Sequence, residues 1–155
     1  MAIFWAGLIC GTMDITAALV VYGHYGLFPM RLLQGIAAGL LGPRSFEGGI
    51  ATAALGLFCH YVIAYSAATV YFAASRAMPI LAEHFIGFGA LYGVAVYYFM
   101  QLVVIPLSAA TRRPFSMKLM IIGVVIHIFC VGLPISTVVW RLSKRSSSSS
   151  RAGES

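Results

Sequence analysis

From Ile50 to Ala74 the chain carries no Lys, Arg, Asp or Glu. A helix of that length reaches about 37 Å at 1.5 Å per residue, more than the roughly 30 Å of a bilayer's hydrocarbon core. Three further runs are nearly as apolar: Ile3 to Tyr22, Leu81 to Ile105 and Met117 to Trp140. Such stretches have one stable solvent, lipid, and one stable backbone there, a helix that satisfies its own N–H and C=O groups. The sequence therefore predicts an all-α polytopic membrane protein with spans at about 3–22, 50–74, 81–105 and 117–140.

Composition agrees. Hydrophobic residues make up 61% of the 155 and charged residues 9%, against roughly 25% charged in soluble domains. That deficit excludes a soluble enzyme, a nucleic-acid binder and a disordered chain. The net charge of +6 does not reopen the nucleic-acid reading. Arg141, Lys144, Arg145 and Arg151 follow the last apolar run directly, where basic residues meet anionic headgroups and set topology.

Between the first two spans, Pro29 to Leu41 opens on a proline and stops at Gly42-Pro43, both helix punctuation. Its ~20 Å of helix is too short to cross, so it reads as an interfacial or re-entrant helix. Arg31 and Gln34 are expected on one of its faces. Arg31, Arg44, Arg112 and Arg113 are candidate headgroup contacts. Arg44 and Glu47 are three apart in a glycine-rich loop, with Ser45 placed to cap the next helix. Glu83 and His84 are expected in the first turn of the third span, Pro106 is expected to end that span, and Pro134 to kink the fourth. Residues 142–155, with a serine run at 146–150, are expected to be a disordered basic tail.

Four spans put both termini on one side. Arg76, Arg141, Lys144, Arg145 and Arg151 lie there, and Arg31, Arg44, Arg112, Arg113 and Lys118 lie opposite, so the positive-inside rule is balanced. The tail cluster and the free amino terminus favour a cytoplasmic side for both ends.

One polar residue stands out in each span: Asp14, His60, Gln101 and His127. Ionisable groups at membrane depth are costly and usually face a bundle interior. Counted from the loop side, all four fall within roughly 6–15 Å of that face at 1.5 Å per residue, so they could form one polar layer. Helical spacing aligns them with small residues: Asp14 with Gly7, Gly11 and Ala18; His60 with Ala53, Gly56 and Ala64; Gln101 with Ala90, Gly93 and Tyr97; His127 with Gly123, Cys130 and Pro134. Small residues mark close helix packing and self-association in membranes, so a homo-oligomer through those faces is one expected partnership, beside the bilayer itself.

Three chemistries fit such a layer. The plainest is interhelical hydrogen bonding, with Asp14 accepting from His60 or His127. A second is proton or solute handling in a small transporter or channel. A third is a metal or haem site on His60 and His127 with Asp14 beside them, although no HxxxH, ExxH or CxxCH spacing supports it. Cys10, Cys59 and Cys130 are isolated within apolar runs and read as packing residues. No Ser/His/Asp triad, Walker loop, Rossmann fingerprint or zincin motif occurs. The expectation is a protein with no enzymatic activity, no metal and no cofactor.

The run Gly7-Leu-Ile-Cys-Gly-Thr-Met-Asp14, the segment Leu55-Gly-Leu-Phe-Cys-His60 and the stretch from Tyr92-Gly-Val to Met100-Gln-Leu-Val-Val-Ile-Pro-Leu107 resemble small four-span bacterial inner-membrane proteins, the YagU-like hypothetical membrane proteins among them. The resemblance implies a bacterial inner-membrane location and transfers no catalytic residue.

Overall fold

The computed structural model describes residues 2–111 and 116–152. It is all-α, and four helices are long and apolar enough to cross a membrane: Ala2–His24, Gly49–Ala77, Phe85–Leu107 and Met117–Leu142. These are the first to fourth spans below. The first, second and fourth extend their apolar runs by a few residues, since a helix once nucleated propagates into any flanking residue that does not oppose it, and the third begins four residues later than its run and ends two later.

The short helix Pro29–Leu41 is present. Pro29 stands at its first position, where a missing N–H costs nothing, and the preceding Phe28 is extended at φ −63°, ψ 142°. Gly42 ends it at φ 61°, a conformation open to glycine and strained for a residue with a Cβ. The helix lies across the start of the second span. At the crossing a Cβ on Gly56 would meet the Leu33 carbonyl, with the Ala37 nitrogen at 3.2 Å. Its far end is tied to the end of the third span by a bond from the Ala109 N–H to the Gly39 carbonyl, 2.9 Å. It thus starts and finishes at the same end of the bundle.

Several local expectations change. Arg31 and Gln34 diverge, with Arg31 exposed and Gln34 only 2% exposed. Ser45 caps nothing. It sits in a 3-10 turn, Gly42–Phe46, and the second span begins after Gly48 without a side-chain cap. Glu83 belongs to a separate turn, Ile80–Glu83, and His84 at φ −108°, ψ 48° divides it from the third span. The backbone is helical through the serine run, to Ala152, where composition had pointed to a chain without regular structure from 142. Residues 153–155 lie outside the described residues.

Both membrane prolines act through the turn before them. Pro106 does not end the third span but sits inside its final turn, Ile105–Leu107. Met100–Val104 widens to a π-helix, in which the Ile105 N–H bonds the Met100 carbonyl five residues back. In the fourth span His127–Gly132 is likewise π-helical, closing with the Leu133 N–H on the Ile128 carbonyl, two residues from Pro134. A proline ring removes one donor and collides with the carbonyl four residues earlier. A wider turn re-spaces the carbonyls ahead of it.

The core is built from two tight helix pairs. In lipid, apolar surface gives helices little reason to associate, so contact depth and hydrogen bonds hold them together. Gly7 and Gly11 of the first span receive the rings of Tyr65 and Tyr61 from the second. Gly89 and Gly93 of the third receive the fourth at Ser136, Gly132 and Ile128. Cys10, Ala68, Tyr71 and Ile135 join the pairs at the centre and are at most 1% exposed.

Candidate functional site

The four polar residues expected to share one layer of the spans do not meet, and each has its own surroundings. His60 reaches across to the first span, its Nε2–H donating to the Gly11 carbonyl at 2.8 Å. That bond is possible because Gly11 has no side chain and Tyr61 packs against it, with ring atoms 2.9 Å from where a Cβ would stand. One residue on, the Thr12 hydroxyl and the Tyr61 hydroxyl lie 2.9 Å apart. The helix backbone, elsewhere used up by its own ladder, supplies the second lone pair of its carbonyl to a neighbour.

His127 turns back on its own helix. Its Nδ1–H donates to the Gly123 carbonyl at 2.9 Å, and its ring meets Tyr97 edge-on at 5.3 Å. The Tyr97 ring fills the space left by Gly123. Asp14 is half-buried and makes no hydrogen bond or ion pair among the described residues. Neither histidine bonds to it. Gln101 is exposed on the outer surface, so it does not share an interior layer with the other three. Among the described residues no group of three His, Cys, Asp or Glu side chains could hold a metal ion.

Other polar side chains, outside the expected layer, carry more of the interior bonding. The Tyr92 hydroxyl donates to the Ala67 carbonyl at 2.7 Å, joining the second and third spans, and the Tyr71 hydroxyl donates to the Leu81 carbonyl at 3.1 Å. The Tyr71 and Tyr92 rings lie 5.0 Å apart. Gln34 donates from Nε2 to the Gly49 carbonyl at 3.1 Å and lies 3.4 Å from the Thr52 hydroxyl, which locks the short helix to the second span. No sequence pattern marks the two tyrosines, because their acceptors are backbone carbonyls. Gln34 sits among apolar neighbours on a helix too short to span.

Of the candidate headgroup contacts, Arg31 is exposed with its guanidinium 5.5 Å from the Phe46 ring, and Arg44 is exposed in the 3-10 turn without an ion pair to Glu47. Arg112 and Arg113 lie outside the described residues. Gly7, Gly11, Gly89 and Gly93, the small-residue faces expected to serve self-association, meet helices of the same chain. No family model matches the chain, and no curated protein and no solved structure matches it.

Proposed function

We propose that this chain is a non-enzymatic integral membrane protein with a structural or accessory role, in which the polar residues of the spans hold the bundle together. The bond from His60 to the Gly11 carbonyl carries this reading. A histidine committed as a donor to a fixed backbone carbonyl on the next helix cannot turn to relay protons without breaking the contact that joins the two spans. Tyr92 on Ala67 and Tyr71 on Leu81 follow the same rule, side-chain donor to backbone acceptor. We place the protein in a bacterial inner membrane with both termini in the cytoplasm, on the strength of its resemblance to YagU-like proteins and of the basic tail.

A transporter or proton-linked channel is the second reading, because the half-buried Asp14 side chain has no bonded partner among the described residues. The two separate on one pair of variants in detergent and in liposomes. The structural reading expects His60→Ala to lower the thermal midpoint and Asp14→Asn to leave solute and proton permeability unchanged. A folded Asp14→Asn protein that loses a flux carried by the unsubstituted protein contradicts it.

A further inference from the structure

The chain has two tryptophans, Trp5 and Trp140, and they come from opposite ends of the sequence to line one groove. It lies between the first turns of the first span and the last membrane turns of the fourth, with a volume of ≈490 Å³, and its other lining among the described residues is Val138, Arg141, Leu142 and Lys144. The Trp140 indole is held as a rigid wall. Phe85 stacks on it at 4.6 Å with 19° between the planes, and the Lys144 ammonium lies 4.6 Å from its ring centre. Arg141 is exposed and makes no ion pair among the described residues.

We propose that this groove binds the headgroup and upper acyl chains of an anionic phospholipid. The groove offers the two chemistries such a molecule requires at one depth. Arg141 presents positive charge to a phosphodiester, and its guanidinium matches two phosphate oxygens at once. Trp5, Val138 and Leu142 give the chains an apolar wall, and paired tryptophans sit at headgroup level. A zwitterionic lipid brings its own cation and gains less from Arg141. The volume falls within the range of small-ligand sites, about 300–1,000 Å³.

Because both tryptophans line the groove, tryptophan emission of the full-length protein reports on it directly. Detergent-solubilised protein is titrated with phosphatidylglycerol brominated on its acyl chains and, separately, with brominated phosphatidylcholine. Half-quenching is expected at a phosphatidylglycerol fraction at least fivefold below that for phosphatidylcholine, at about fivefold per basic residue engaged. Arg141→Gln is expected to erase the difference. Arg76→Gln, an exposed described residue that does not line the groove, is expected to keep it. Arg141→Lys preserves charge and helix and should still lose a few-fold of the preference with the planar fork, which covers the case in which the glutamine variant fails to fold. Equal quenching by both lipids, an equal loss in Arg76→Gln, or an unchanged preference in Arg141→Lys overturns the proposal. So does full reversal of phosphatidylglycerol quenching by millimolar inorganic phosphate, which would make the site one for free phosphate.

Discussion

Gly93→Ala should separate the third and fourth spans, and Gly87→Ala, the same change six residues earlier on the same helix, should not. A Cβ at Gly93 would stand 2.7 Å from the Ile128 Cα and 2.8 Å from the His127 carbonyl carbon, whereas at Gly87 it meets nothing within 4 Å. Ordinary carbon contacts lie near 3.5–4.0 Å, so the helices must part by about 1 Å. The obstructing atoms are backbone and have no rotamer to change. A gap of 0.5–1 Å forfeits a quarter to a half of each contact's attraction, and overpacking of this kind costs about 1–3 kcal/mol. Both variants gain the same helix propensity, roughly 1 kcal/mol for glycine to alanine, so their difference isolates the clash. Unfolding in mixed micelles, followed by loss of helical circular dichroism, measures it. Gly93→Ala is expected to be about 1–3 kcal/mol less stable than Gly87→Ala. Equal stabilities would show that the two helices do not meet at Gly93 and would refute the packing described above.

Two other outcomes follow from the hydrogen bonds and a third from exposure. Tyr92→Phe removes only the donor to the Ala67 carbonyl and should cost about 0.6–2 kcal/mol in the same assay; no loss would show that the bond contributes nothing. Gln34→Ala, at a position 2% exposed, should release the short helix from Gly49 and raise amide exchange across 29–41 while the spans stay protected; unchanged exchange there contradicts its role. Gln101→Leu, on the outer surface, should leave stability within about 0.5 kcal/mol of the starting protein, and a larger loss would place Gln101 inside the bundle.

The spans were legible in the sequence because lipid leaves a long apolar run one choice of structure. The short helix was legible from Pro29 and Gly42, two residues whose backbone limits act locally. The polar residues were legible in depth but not in direction. Depth follows from counting along a helix, and Asp14, His60 and His127 do lie inside spans. Direction requires a constant turn, and Gln101 falls within the π-helical Met100–Val104, where counting by three and four from Gly93 and Tyr97 fails. Pro106 was visible, but the widened turn that accommodates it depends on the whole preceding helix. The bond from His60 to Gly11 was hidden for another reason. Its acceptor is a backbone carbonyl, which every residue possesses and no sequence pattern marks. Small-residue stripes told which faces are in contact, as with Gly7 against Tyr65 and Gly89 against Ser136. They did not say whether the partner is the same chain.

In the proposed role His60 joins two spans and no ionisable group of the spans carries protons, so proton flux separates that role from a channel. Purified protein in liposomes carrying an internal pH dye is given an inward proton gradient, with protein-free liposomes alongside. The same rate of internal acidification is expected in both. A faster rate with protein, abolished by Asp14→Asn in a variant that keeps its helicity and thermal midpoint, would contradict it.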